Sequence, residues 1–176
     1  GNRGRCAQPC RLPYKLLNAK GEDMLEGKDA GQYLLSPKDM NTLSRLPQLI
    51  ESGVVSYKIE GRMKRPEYVA TVVQTYRQAL DRRMKQQGSH YQALPEEKER
   101  LAQIFVRDFT TAYLERRPGR VMMSDRRPNN RGLLIGRGVR VARESRLVSL
   151  RLSGRLAVGD QIDVWVKVGG RVTATI

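Results

Sequence analysis

The sequence predicts an α/β region followed by a β region: the last βα units of an incomplete (β/α) barrel of the TIM type, a helical linker, and a small C-terminal β-barrel. Three observations carry this. Strand-like and helix-like stretches alternate between residues 32 and 86, the pattern of βα units. Residues 116–132 then shift to Arg, Pro, Asn and Gly, the texture of an extended loop. From Leu133 onward, short runs of alternating apolar and polar residues are separated by glycine turns. The expected divisions are 1–86 for the barrel part, 87–132 for the linker and 133–176 for the small β-barrel.

Each element has its own signal. Gln32-Tyr33-Leu34-Leu35 reads as a short strand, and Ser36-Pro37-Lys38-Asp39 as the turn after it. Leu43, Leu46, Leu49 and Ile50 have helical spacing, with Pro47 breaking the helix in two and Gly53 ending it. Val54 to Ile59 reads as a second strand. Pro66 opens a long helix at a position where proline is tolerated. Val69, Val72, Val73, Tyr76 and Leu80 recur at threes and fours, which predicts one buried face. Residues 86–94 form a polar connector holding the single histidine, His90, expected to be solvated. Pro95, Glu96, Glu97 and Glu99 mark another helix start, because acids in the first turn suit the helix dipole. Leu147–Leu152 and Asp163–Val168 alternate like strands, with turns at Ser153-Gly154, Gly159-Asp160 and Gly169-Gly170. The expectation is a small β-barrel that is truncated at Ile176.

Two βα units cannot close a barrel of eight. The sequence also begins at Gly1 and enters a motif at once. Both lead to the expectation that it is a piece of a longer polypeptide.

Charge bounds the partners. The net charge is +15, and residues 116–155 hold twelve arginines, no lysine and only two acids, Asp125 and Glu144. Guanidinium forks pair with phosphates, so this field points to RNA. Arg126, Arg127, Arg131, Arg137 and Arg140 are the candidate RNA contacts. No apolar run reaches the roughly 18 residues of a membrane span, so no membrane partner is expected. No feature implies an obligate protein partner. Two cysteines in a charged chain do not make a disulfide framework, and the expected setting is the reducing cytoplasm.

Those two cysteines, Cys6 and Cys10, sit in Arg5-Cys6-Ala7-Gln8-Pro9-Cys10-Arg11. Pro9 disfavours a regular helix through the pair, so a loop is expected. Nearby Arg3, Arg5 and Arg11 favour the thiolate, which is both ligand and nucleophile. An iron–sulfur cluster, a zinc site, a redox dithiol and a nucleophile all remain open. A metal site of either kind needs about four ligands, so the pair is half a set.

The second expected strand places Val55, Tyr57 and Ile59 on one face and Ser56, Lys58, Glu60 and Arg62 on the other. In a (β/α) barrel the polar face would look inward, with its last residues at the catalytic rim. Lys58, Glu60 and Arg62 are therefore candidate catalytic residues, able to orient a carboxylate-bearing substrate or to form an ion network. Lys38 would lie on the same rim and could reach an anionic ligand. Asp39 could cap the following helix.

Three motifs then carry a resemblance: Asn2-Arg3-Gly4-Arg5-Cys6-Ala7-Gln8-Pro9-Cys10-Arg11, Leu35-Ser36-Pro37-Lys38-Asp39, and Tyr57-Lys58-Ile59-Glu60-Gly61-Arg62-Met63-Lys64 leading to Glu67-Tyr68-Val69. In this order they resemble the C-terminal part of the peptidase U-32, or collagenase-like peptidase, family. Phe109-Thr110-Thr111 through Arg127-Pro128-Asn129-Asn130-Arg131-Gly132 resembles its branch that hydroxylates large-subunit ribosomal RNA. Gly159-Asp160-Gln161-Ile162 resembles the elongation-factor-like barrel appended in that branch.

The resemblance implies a four-iron four-sulfur cluster held by four cysteines, with Cys6 and Cys10 matching the last two. It implies prephenate as co-substrate in an oxygen-independent hydroxylation of RNA bases; other relatives hydroxylate ubiquinone precursors. It makes Asn2 and Arg3 candidate substrate-binding residues. The other two cluster cysteines are not in this sequence, so the chain alone is expected to be inactive. The alternatives are a collagenase-like peptidase, as the older family label suggests, and a module that only binds RNA.

Overall fold

The computed structural model describes residues 6–85, 91–115, 119–166 and 170–176. Asn2, Arg3, Arg5 and His90 lie outside the described residues. The chain divides into two compact units, Gly1–Gly132 and Leu133–Ile176.

The first unit is built on helices. A 3-10 turn at Leu43–Arg45 runs into α1 (Leu46–Glu51), with Pro47 in its first turn. Pro47 thus starts the α-helix instead of splitting one. Gly53, in the left-handed region at φ 81°, closes it by donating its N–H to Ile50 at 3.0 Å. The long helix α2 (Pro66–Lys85) and α3 (Pro95–Ile104) both begin at proline, where the missing N–H costs nothing. The core gathers Leu43, Leu46, Val72, Ala79, Ala93 and Leu101, with Ile59, Tyr68, Tyr76, Leu80, Tyr91 and Ile104 against it. Two tyrosine hydroxyls, Tyr76 of α2 and Tyr91 ahead of α3, bond to the backbone of Thr42 and Leu43. Tyr76 accepts from the Thr42 N–H at 2.9 Å, and Tyr91 donates to the Leu43 carbonyl at 3.0 Å. At the start of α3, Glu97 accepts from the Leu94 N–H at 2.9 Å and from Arg82 of α2.

The face of α2 differs from the sequence expectation. Val72, Thr75 and Ala79 are its buried residues, whereas Val69 and Val73 are 37% and 46% exposed. The last two line an open groove with Lys64, Pro66, Ala70, Gln74 and Arg77. The stripe toward the core is narrower than the run of valines.

Neither early strand forms a ladder. Around residues 33–38 the backbone bonds go to a turn and to the 122–125 segment. Ser36 N–H donates to Tyr33, Tyr33 N–H to Asp125, Lys38 N–H to Met122, and Ser124 N–H to Ser36. Residues 54–59 are extended but pair with no strand among the described residues, and Val55 is 98% exposed. Strand formation needs a neighbour to accept its hydrogen bonds, and side-chain alternation cannot reveal whether one is there. The parallel pairing that does exist joins β1 (Asp39–Met40) to β2 (Phe109–Thr110). Asn130 and Arg131 brace this pair: the Val106 N–H donates to Asn130 Oδ1, and the Arg131 N–H to the Val106 carbonyl, each at 2.8 Å.

The second unit consists of two antiparallel hairpins. Strands β3 (Gly136–Ala142) and β4 (Leu147–Leu152) form one, β5 (Gln161–Val166) and β6 (Gly170–Thr175) the other. Among the described residues no barrel closes in either unit. No helix among the described residues is long and apolar enough to cross a membrane.

Candidate functional site

The cysteine loop is held by its own backbone. Pro9, Cys10 and Arg11 form one 3-10 turn, preceded by Gln8 at φ 52°. The Gln8 N–H donates to Cys6 Sγ at 3.4 Å, and the Tyr14 hydroxyl donates to the Pro9 carbonyl at 2.9 Å. Both thiols are free and exposed.

Arg11 connects this turn to the 35–39 motif. Its guanidinium donates to Ser36 Oγ at 2.6 Å and to the Pro37 carbonyl at 2.8 Å. Ser36 is fully buried. Two residues further on, Asp39 does not cap a helix. Its carboxylate accepts from Arg107, through both the guanidinium and the backbone N–H. Asn41, one residue before the N-cap Thr42, accepts the Leu43 N–H at 3.0 Å.

Lys64 completes a cationic cluster. The turn at Arg62 and Met63, the latter at φ 58°, brings it in just before α2. Its ammonium lies over the Phe105 ring, 2.7 Å from the centroid, and 5.1 Å from that of Tyr68. The two rings pack edge to face, and Arg107 lies 5.0 Å from the Phe105 centroid. Burial first, then the charges of Arg107 and Arg11, lower the Lys64 pKa to about 8, against the pull of Asp39. Burial and Arg107 likewise hold Arg11 below its ordinary value, with Cys10 and Asp39 opposing. Arg107 thus pairs with Asp39, and both feel the charges of Arg11 and Lys64, with Cys10 acting on Arg11. Positive charge is in excess, and a small anion bound here would relieve it.

Sequence reasoning missed most of this cluster. Lys64 ends the third motif with nothing in its neighbours to mark it, and nothing in the sequence links Arg107 to Asp39. Lys58, Glu60 and Arg62 are exposed, and Glu60 pairs with Arg62 at 3.0 Å. The backbone and side-chain hydrogen bonds from Arg62 lower the Glu60 pKa, with smaller help from the charge of Lys58. Lys38 is half-buried and anchored through its N–H to Met122 at 2.8 Å.

The candidate RNA contacts divide. Arg126 pairs with Asp29, and Arg131 with Asp108 at 2.8 Å and with Ser124 at 3.2 Å. The Arg127 carbonyl accepts from Ser124 Oγ at 3.0 Å. Arg137 and Arg140 lie exposed on β3.

The donor set fits part of an iron–sulfur site. Thiolates ligate such clusters, and amide N–H bonds to sulfur tune them. Cys6 and Cys10 would supply two of the about four ligands such a cluster needs. No group of three His, Cys, Asp or Glu donors occurs among the described residues.

Comparison with known proteins places the chain. The family model of peptidase family U32 matches residues 1–124. The chain is 32% identical over 166 residues to "tRNA hydroxylation protein P1" of Bacillus subtilis, covering 92% of this chain and 39% of that protein. It is 34% identical over 171 residues to "23S rRNA 5-hydroxycytidine C2501 synthase" of Escherichia coli, covering 94% and 25%. It is 33% identical over 166 residues to a "Collagenase" of Porphyromonas gingivalis, covering 92% and 39%. The chain spans less than half the length of each of these relatives. No solved structure matches it. Motif order, the cysteine turn and the family match agree: the chain belongs to peptidase family U32.

Proposed function

We propose that this chain is the cluster- and co-substrate-binding part of an RNA base hydroxylase of the ribosomal RNA type, acting with an iron–sulfur cluster and prephenate. The observation that carries the reading is the exposed Cys6–Cys10 turn, fastened through Arg11 beside the Lys64–Arg107 cluster. Relatives named for tRNA hydroxylation and for 23S rRNA 5-hydroxycytidine synthesis support it.

Cys6 and Cys10 are two of the thiolates that hold the four-iron four-sulfur cluster, which supplies one-electron redox chemistry when bound. Arg11, Lys64 and Arg107 bind the carboxylates of the acidic co-substrate. Arrival of an anion favours protonated Lys64, so the site gains charge as it fills. Lys38, Lys58, Glu60 and Arg62 orient the substrate along the neighbouring edge, with Asn2 and Arg3 joining from the cysteine motif. Arginines of the second unit contact RNA. The architecture belongs to a (β/α) barrel followed by an elongation-factor-like β-barrel, and the setting is the cytoplasm.

Peptide hydrolysis is the second reading, favoured by the collagenase-named relative. The only histidine, His90, lies outside the described residues, so those residues build no Cys–His pair.

Nucleoside mass spectrometry of ribosomal and transfer RNA separates the two. Deleting the gene should remove one hydroxylated nucleoside. The wild-type gene should restore it, and Cys6→Ala or Cys10→Ala genes should not. Unchanged nucleosides, together with loss of collagen-peptide cleavage, would favour the peptidase.

A further inference from the structure

The geometry points to one face of the β3–β4 hairpin, formed by Arg137, Arg140 and Arg151, as the surface that grips the phosphodiester backbone of RNA. This rests on the RNA reading above and deepens it.

The register makes the face. Arg137 stands directly opposite Arg151, and Arg140 opposite Ser149. Paired residues project to the same side of a sheet, as do residues two apart on one strand. Ser149 and Arg151 are two apart, so all three arginines share one side. Arg137 and Arg140 are three apart on β3 and would face opposite ways in a regular strand. The register shift between Gly138 and Arg140 prevents that. It inserts Val139 as an extra residue and turns Arg140 to the side of Arg137. The other side of the hairpin carries Val141, Val148, Leu150 and Leu152, so the hairpin is amphipathic.

Like charges directly opposite each other destabilise a strand pair. Here two arginines are paired across the strands and a third is added by a bulge. None of their three guanidinium groups has an ion pair or hydrogen bond among the described residues. Residues 136–152 contain five arginines and one acid, Glu144. The loop arginines differ, because Arg126 and Arg131 are already paired with Asp29 and Asp108. A chain of phosphates matches what the hairpin presents: several negative charges at short, regular spacing. Arginine contacts to phosphate are general and give binding its salt dependence.

The test is fluorescence anisotropy with a fluorescein-labelled 20-nucleotide RNA stem–loop, from 50 to 300 mM salt. The full chain carries Arg137→Gln, Arg140→Gln and Arg151→Gln together, and each singly. The triple variant should bind about tenfold or more weakly at 100 mM salt, with its slope against log salt shallower by about two to three. Each single variant should weaken binding about threefold, and the triple lysine variant should restore most of the slope. Arg126→Gln should stay within about twofold of wild type. Cys6→Ala/Cys10→Ala should bind like wild type, so loss of hydroxylation and loss of this surface are read separately. A thermal melt checks folding, and the glutamine variants should melt no lower, because they remove cross-strand repulsion. Wild-type affinity and slope in the triple variant would overturn the proposal. So would tighter wild-type binding to phosphatidylglycerol vesicles than to the RNA.

Discussion

Asp39 and Arg107 are 68 residues apart and meet as a chelated pair. The Arg107 Nε lies 3.2 Å from each carboxylate oxygen, its Nη2 closes on Oδ1, and its backbone N–H donates to Oδ2 at 2.9 Å. The side chains are 14% and 19% exposed. This pair fixes the start of β1 against β2 and commits the one carboxylate among three cations.

Asp39→Asn keeps the shape and removes the charge. It leaves Arg107 facing Arg11 and Lys64 without a counter-ion. The expected loss is about 3 kcal/mol in urea unfolding. Arg107→Gln on the Asp39→Asn background should cost much less than on wild type, since the pair is already broken. A loss under about 0.5 kcal/mol for Asp39→Asn would mean the pair carries no such weight.

Lys64 sets a pH dependence. Its folded pKa is about 8, against an ordinary 10.5. Between these values the unfolded chain holds a proton that the folded chain has released, so stability rises with pH across that window. Below about pH 8 both states are protonated and the full cost of the buried ammonium is present. Lys64→Met should be the more stable form at pH 7, with the difference shrinking toward pH 10. Urea midpoints at pH 7, 8.5 and 10 check this; parallel curves would contradict it.

Glu97 also makes stability rise with pH, but in the carboxyl range and because its charged form is favoured. Burial would raise its pKa, but hydrogen bonds from Arg82 and the Leu94 N–H outweigh that and lower it below 4.5. Its stabilisation is full above the unfolded carboxyl range and is lost as pH falls through the lowered folded value. Glu97→Gln should cost about 2 kcal/mol at pH 7 and progressively less in acid. A cost independent of pH would refute the charge argument.

Gly31 tests the packing of residues 31–38 on 122–125. A Cβ there would fall 2.1 Å from the Asp125 carbonyl oxygen and 2.4 Å from its carbon. Gly31→Ala must push the backbones apart and break the Tyr33–Asp125 bond of 2.8 Å. The expected cost is about 2 kcal/mol or more, with faster amide exchange in residues 31–36 and 122–125. Gly138→Ala, which meets nothing within 4 Å, should change stability by less than about 0.5 kcal/mol.

Local signals in the sequence were sound where structure is local. Pro66 and Pro95 marked the starts of α2 and α3, and alternation marked β4. Reading failed where partners are distant. Residues 32–35 have a strand-like composition, but they form no ladder, and the Tyr33 amide bonds to Asp125. Residues 54–59 have strand alternation but no neighbour to pair with. Val69 and Val73 fit a helical period yet face the groove. The cationic cluster was harder still, because Asp39 meets Arg107 only through tertiary folding. Cys6 and Cys10 stand out in the sequence for the reverse reason: two exposed thiols among polar residues have no packing role.

The central claim is that Cys6 and Cys10 ligate an iron–sulfur cluster. Iron and acid-labile sulfide should be measured on the native polypeptide, expressed from its own gene and purified anaerobically. The account predicts about four irons and four sulfides per chain, falling sharply in Cys6→Ala and Cys10→Ala. Iron-free protein after anaerobic reconstitution, or full iron content in both variants, would contradict it.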